Sequence, residues 1–154
     1  MLFLIHQIYY TVSKNLSILE IILLLFSIII VLCNRRKYPY IPPLYSVFLI
    51  LYITLLRRAP GFNVSICFKL KLRPNAVVWA GNLLNLVLYV PYGVTSWLWK
   101  REAKKIVAVG FALSVSCEVL QYLPGRGMAD VNDVLFNALG AVVGVWISAK
   151  VYSK

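Results

Sequence analysis

Three of the five acidic residues in this chain lie within sixteen positions of one another, in a stretch that joins two strongly apolar segments. They are Glu118, Asp130 and Asp133, and with Arg126 they give positions 118–133 a net charge of −2 (three acids, one base) in a chain of net charge +11. Ionisable side chains at membrane depth are costly, so such a cluster indicates a functional site. The carboxylates could act as general acid and base, with the arginine stabilising charge that develops on a substrate.

The composition of the chain is that of an integral membrane protein. Of its 154 residues, 61% are hydrophobic, and the mean hydropathy is +0.80. These values exclude a soluble globular protein and a disordered chain, and the length predicts a single membrane domain over residues 1–154. In this class a basic excess reflects membrane topology and lipid contact, so we expect no nucleic-acid partner.

Apolar runs bounded by charged residues, prolines and glycines predict an all-α fold with about five transmembrane helices. The predicted ranges are 16–33, 41–56, 76–99, 106–123 and 131–151. Between the second and third helices, positions 62–73 alternate apolar and polar residues with a period of two, which is typical of a β-strand. We expect a short amphipathic segment there, either a strand on the membrane surface or half of a small hairpin.

The distribution of basic residues predicts the orientation of these helices. With five spans, loops 34–37 and 100–105 and the C-terminus share one side of the membrane and carry nine basic residues. The N-terminus and loops 57–75 and 124–130 share the other side and carry seven. Basic residues in short loops favour the cytoplasm, so we expect the N-terminus outside and the C-terminus inside.

The same alternation brings polar residues from four helix ends into one leaflet, whichever way the protein is oriented. The residues predicted to bind a ligand in this leaflet are Arg58, Asn82, Asn85, Glu118, Gln121, Arg126, Asp130, Asp133 and Asn137. Asp133 and Asn137 share one helix face with Gly140 and Gly144. This glycine pair has the GxxxG spacing that lets a second helix approach closely, so we expect the polar face to be packed against a neighbour.

Each of these residues also has a structural interpretation. Asp130 could be the N-cap of the last helix, with Asp133 satisfying free amides in its first turn. Glu118 could form an ion pair with Arg126 or Arg58 that has no further role. The asparagines could be interhelical hydrogen-bonding residues, and the sequence leaves these alternatives open.

Several short motifs follow one another here in a fixed order. They are Glu118-x-x-Gln121, Pro124-Gly125-Arg126, Asp130-x-x-Asp133 and Asn137-x-x-Gly140-x-x-x-Gly144. Upstream lie Arg58, at the end of the second predicted helix, and Asn82-x-x-Asn85 followed by Leu86-Val87-Leu88-Tyr89-Val90-Pro91-Tyr92-Gly93. In these motifs the chain resembles the VanZ-like family over about residues 40–148.

The resemblance implies a multi-pass protein of the bacterial plasma membrane and cell envelope. The named member of that family is associated with resistance to teicoplanin, a lipidated glycopeptide antibiotic. The family has no agreed biochemical activity, so the resemblance implies a location and a phenotype rather than a reaction.

Two hypotheses from different classes follow. The first is a non-enzymatic envelope protein whose polar pocket faces the outer leaflet and binds a lipid, a lipid-linked wall precursor or the lipoglycopeptide itself. The second is a membrane enzyme acting on a lipid-linked substrate, with Glu118 or Asp133 as acid or base and Arg126 stabilising charge. The chain has one histidine and no nucleophile motif, which favours the first. We expect no cofactor and no metal, and the oligomeric state is open.

Overall fold

The structure, a computed structural model, describes residues 29, 36–56, 65–67, 75–123 and 128–152. In these ranges it has four helices and two short strands. In chain order they are α1 (Ile41–Leu51), a π-helical turn (Tyr52–Leu56), β1 (Ser65–Cys67), α2 (Ala76–Lys100), α3 (Ala103–Tyr122), β2 (Met128–Asp130) and α4 (Val131–Tyr152). The four later predicted helices are confirmed as helices. The first, 16–33, lies outside the described residues except for Ile29, which is helical.

The described helices are consistent with a membrane protein. Both α2, with 25 residues, and α4, with 22, are long and apolar enough to cross a bilayer, judged by length and composition. The helix that begins at Ile41 is apolar but shorter. Two of the described helices meet this criterion, and the number of five spanning helices stays a prediction.

The starts of α1 and α2 follow from local sequence. Pro42 and Pro43 occupy the first positions of α1, where a missing backbone N–H costs no helical hydrogen bond. Asn75 precedes α2 in an extended conformation, and its side-chain oxygen accepts a hydrogen bond from the backbone N–H of Val77 at 2.9 Å. This is the geometry of an N-cap, and it sets where α2 begins.

The connection between α2 and α3 is shorter than the predicted loop 100–105. Lys100 is the last residue of α2 and Ala103 the first of α3, so only Arg101 and Glu102 lie between them. Arg101 adopts the left-handed conformation with φ of 54°, and its N–H donates to the carbonyl of Trp97 at 3.0 Å. The predicted start of α3 was wrong by about one helical turn, because alanine is a good helix former and so is lysine, despite its charge.

The most extensive helix contact is between α2 and α4, and glycines make it possible. A methyl group on Gly140 would overlap the carbonyl oxygen of Leu86, and one on Gly144 would overlap that of Val90. A Cβ on Gly144 would also lie 2.9 Å from the Cα of Gly93. The predicted close approach at the glycine pair is confirmed, and the order of the contacts shows that the two helices run parallel.

A small parallel sheet joins the connection between α1 and α2 to the connection between α3 and α4. It lies at the end of the bundle where α2 and α4 begin. Ser65, Ile66 and Cys67 pair in register with Met128, Ala129 and Asp130. The segment 62–73 thus contains a strand, as predicted, but its partner among the described residues is the distant β2 and not an adjacent hairpin arm. Because β1 follows α1 and β2 precedes α4, the pairing confirms that these helix ends meet on one side.

The core lies between α1, α2, α3 and α4. Its fully packed members are Ile50, Tyr89, Tyr92, Ile106, Cys117, Ala141 and Val145. Two of the hydrogen bonds that cross it join α2 to its neighbours. The hydroxyl of Tyr92 donates to the carbonyl of Ile106 at 3.1 Å, and the hydroxyls of Ser46 and Thr95 are 3.3 Å apart. These contacts hold α1 and α3 against α2.

Candidate functional site

We use the name polar cluster for the predicted site residues that the structure describes, which are Asn82, Asn85, Glu118, Gln121, Asp130, Asp133 and Asn137. The carboxylate of Glu118 is its central group. It lies in the last turns of α3 with only 7% of the residue exposed. Its Oε2 accepts a hydrogen bond from the backbone N–H of Asp130 at 2.9 Å. A charge-assisted bond of this kind is roughly twice as strong as a neutral one, so Glu118 holds the start of α4 against the end of α3.

Asp130 has the capping role that was one of its two interpretations. Its Oδ1 accepts hydrogen bonds from both the backbone N–H and the side-chain Nδ2 of Asn132, each at 3.0 Å. Asp130 directly precedes the first residue of α4, so this carboxylate satisfies an amide of the first turn. Asn132 is buried, and sequence reasoning missed it, although an asparagine two positions after a capping aspartate was a usable signal.

Gln121 connects α3 to the π-helical turn after α1. Its Nε2 donates to the backbone carbonyl of Thr54 at 2.8 Å, and Gln121 is buried. The hydroxyl of Thr54 donates to the carbonyl of Ile50 at 2.7 Å and lies 3.6 Å from the sulfur of Cys117. A π-helical turn is rare and is frequently found at functional sites. Nothing in the apolar sequence around Thr54 signalled this contact.

Asn137 reaches from α4 to α3, where its Nδ2 donates to the hydroxyl of Ser114 at 2.9 Å. Both residues are buried. Ser114, Glu118 and Gln121 have the spacing i, i+4, i+7, which places them on one face of α3. Ser114 was missed at the sequence level, and this spacing was the signal that could have found it.

Three buried polar atoms in this region have no hydrogen-bond partner within the part of the chain that the structure describes. They are Nδ2 of Asn82, the hydroxyl of Tyr89 and Oδ1 of Asn137. The Tyr89 hydroxyl faces Ser114 and Cys117 but does not meet hydrogen-bond geometry with either. Each such atom costs about 1–3 kcal/mol while it remains unsatisfied.

The register of α2 against α4 places two of these atoms, on Asn82 and Asn137, near one another in depth. Leu86 contacts Gly140, and the two helices are parallel. Asn82, one turn before Leu86, therefore lies at the level of Phe136 and Asn137, one turn before Gly140. These two amides lie in the half of the bundle that contains the predicted cluster, and the backbone of Tyr89 is about 10 Å further along α2.

The structure brings together most of the predicted site residues that it describes. Hydrogen bonds connect Glu118 to Asp130, Gln121 to the π-helical turn after α1, and Asn137 to α3. Asn85 and Asp133 are half-buried near the same ends of α2 and α4. Arg58 and Arg126 lie outside the described residues, and so does the predicted ion pair between either of them and Glu118. Among the described residues, no group of three or more His, Cys, Asp or Glu could hold a metal ion.

The sequence matches the model of the VanZ/LLP1 family over residues 9–152. The chain belongs to the VanZ/LLP1 family. The match covers nearly the whole chain and extends well beyond the 40–148 region in which the resemblance was recognised. As a VanZ/LLP1 member with two apolar helices of spanning length, the protein is consistent with a membrane location.

A search of curated proteins and a search of solved structures gave no match to the chain.

Proposed function

We propose that this protein is a non-enzymatic envelope protein whose polar cluster binds the polar head of a membrane-anchored ligand. The ligand would be a lipid, a lipid-linked wall precursor or a lipoglycopeptide such as teicoplanin. Binding would contribute to tolerance of teicoplanin-type antibiotics, in line with the family resemblance. The protein would be in the bacterial plasma membrane with its N-terminus outside and the cluster in the outer leaflet.

The observation that carries this proposal is a set of three buried polar atoms, on Asn82, Tyr89 and Asn137, that have no hydrogen-bond partner among the described residues. A bound polar group would relieve their cost by supplying the missing hydrogen bonds. An amide nitrogen, an amide oxygen and a hydroxyl together suit a ligand with both donors and acceptors, such as a sugar or an amide. Arg58 and Arg126 would contact phosphate or carboxylate on the same ligand.

The contact of Glu118 with Asp130 favours binding over catalysis. Oε2 of Glu118 already accepts a backbone N–H in the folded protein. A general base must be within hydrogen-bonding reach of a substrate proton, and an oxygen engaged with the backbone is a weaker candidate for that role. The enzyme hypothesis makes a separate prediction, which is a chemically altered lipid that appears only with the active protein.

The proposal is tested by replacing the unsatisfied amides with an apolar residue of similar size. Asn82→Leu and Asn137→Leu remove buried polar atoms, so Asn82→Leu should leave stability unchanged or raise it. Both should lose teicoplanin tolerance at matched membrane level and lose polar lipid that co-purifies with the wild type, as measured by lipid mass spectrometry. Ser116→Leu is the matched control, because Ser116 is exposed on α3 and bonds only within its own helix.

Full tolerance and unchanged lipid in both asparagine variants would show that these amides bind nothing. A wild-type protein without tolerance, but with a specific co-purifying lipid that both variants lose, would overturn the antibiotic assignment alone. Altered lipid formed by wild type and abolished by Glu118→Gln would favour the enzyme.

A further inference from the structure

An apolar groove of about 740 Å³ lies between α3 and α4, at the opposite end of the bundle from Glu118. One wall is the first half of α3, including Lys104, Val107 and Phe111. The other is the second half of α4, including Val142 and Trp146. Phe111 and Trp146 are 50% and 59% exposed, so the groove is open at the protein surface.

The length of the groove corresponds to one leaflet. Along α4 it extends from Ala138 to Ala149, and the eleven steps between these residues span about 16 Å at the helical rise. This is about half of the ~30 Å hydrocarbon core of a bilayer. A lipid chain lying along the groove would therefore reach from the interface to the middle of the bilayer.

Cationic groups lie at one end of this groove. Lys104 lines it and has no ion pair among the described residues. Its neighbour Lys105 is instead paired with Glu102. Lys150, at the same end, lies over the ring of Trp146 with its Nζ 5.1 Å from the ring centroid. An exposed tryptophan beside lysines is the arrangement expected at the level of lipid headgroups.

We propose that this groove binds an anionic phospholipid, with an acyl chain along α3 and α4 and the phosphate at Lys104. Basic pockets between transmembrane helices are known to bind anionic headgroups. The unpaired Lys104 supplies the charge, and the apolar walls supply the chain contact. The site is separate from the polar cluster and does not depend on the function proposed for it.

The test is native mass spectrometry of the full-length protein in detergent. The probe is phosphatidylglycerol, compared with phosphatidylcholine that has the same acyl chains. We expect the wild type to retain phosphatidylglycerol preferentially, and Lys104→Gln to reduce this retention by about fivefold. Ala108→Leu, which puts bulk into the groove, should reduce retention of both lipids, because Ala108 lines the groove and is exposed.

Matched controls make the result specific. Lys37→Gln removes the same charge from an exposed lysine four residues before α1, and Ala112→Leu adds the same bulk to an exposed position of α3 outside the groove. Both should bind like the wild type. Equal retention of the two lipids by the wild type, or an equal loss in Lys37→Gln and Lys104→Gln, would overturn the proposal. A lipid-free dimer broken by Ala108→Leu would assign the groove to a second copy and would also overturn it.

Discussion

The side chain of Glu118 and the backbone of Asp130 are joined by a hydrogen bond of 2.9 Å that spans the connection between α3 and α4. The acceptor is the buried carboxylate of Glu118. The donor is the backbone N–H of Asp130, the residue just before α4, and the side chain of Asp130 caps that helix. This one hydrogen bond therefore links the buried side chain of Glu118 to both the end of strand β2 and the start of α4. It makes Glu118 both a structural residue and a member of the candidate site, and the two roles can be separated by substitution.

Glu118→Gln should preserve the fold, because a glutamine oxygen can still accept the Asp130 N–H. Glu118→Leu removes the acceptor and leaves a buried amide, so it should lower the free energy of unfolding by about 1–3 kcal/mol. Thermal melting in detergent distinguishes the two variants.

At matched membrane level we also expect Glu118→Gln to lose teicoplanin tolerance, together with Asp133→Asn and Arg126→Gln. Full tolerance in both Glu118→Gln and Arg126→Gln would show that these charges are structural.

Asp130 provides the internal comparison. Asp130→Asn keeps a side-chain oxygen that can cap α4, so stability and tolerance should remain close to wild type. Asp130→Ala removes the cap and should cost about 1 kcal/mol, since capping residues contribute about 0.5–2 kcal/mol. The measurement is again the melting temperature in detergent. Equal stability of the two variants would show that the bonds to Asn132 contribute nothing.

Gly144→Leu should separate α4 from α2. A side chain there would meet the backbone of Val90 and Gly93, which cannot rotate away. We expect a loss of about 3 kcal/mol or more, seen as a low folded yield by size-exclusion chromatography. Gly81→Leu is the matched control on α2, because a Cβ at Gly81 has no atom within 4 Å. A normal yield of Gly144→Leu would contradict the close contact between the helices.

Arg101→Gly should stabilise the protein by up to about 1 kcal/mol. Arg101 has φ of 54°, a conformation that costs most L-residues roughly 1–2 kcal/mol and that glycine adopts readily. Arg101→Ala removes the same charge but keeps the Cβ, so it should give no gain. A gain of equal size in both variants would assign the effect to the charge and not to the backbone.

The proposed orientation is tested by cysteine labelling in intact cells. A cysteine introduced at Gly127 should react with an impermeant thiol reagent from outside, whereas one at Arg101 should react only after permeabilisation. The wild-type chain, with its three cysteines, sets the background. The reverse pattern would place the polar cluster in the inner leaflet.

Features carried by local sequence were predicted well. Four helices lie where apolar runs end at charged residues, prolines or glycines, because a helix satisfies its own backbone and depends mainly on its own residues. The glycine pair at Gly140 and Gly144 and the capping potential of Asp130 were also readable, since each depends on spacing along one helix. The family resemblance came from the same short motifs.

The amino-acid sequence by itself therefore determined the family, and it predicted the membrane class and the polar residues of the candidate site. Only the tertiary structure decided which partners they have. The bond from Gln121 to Thr54 joins residues 67 positions apart, and β1 pairs in parallel with a strand in a different connection. Such pairings depend on how helices pack, because a carbonyl or amide is chemically alike at every position. Packing against Gly140 and Gly144 sets the depth of α2, and that depth decides which buried amides remain without a partner.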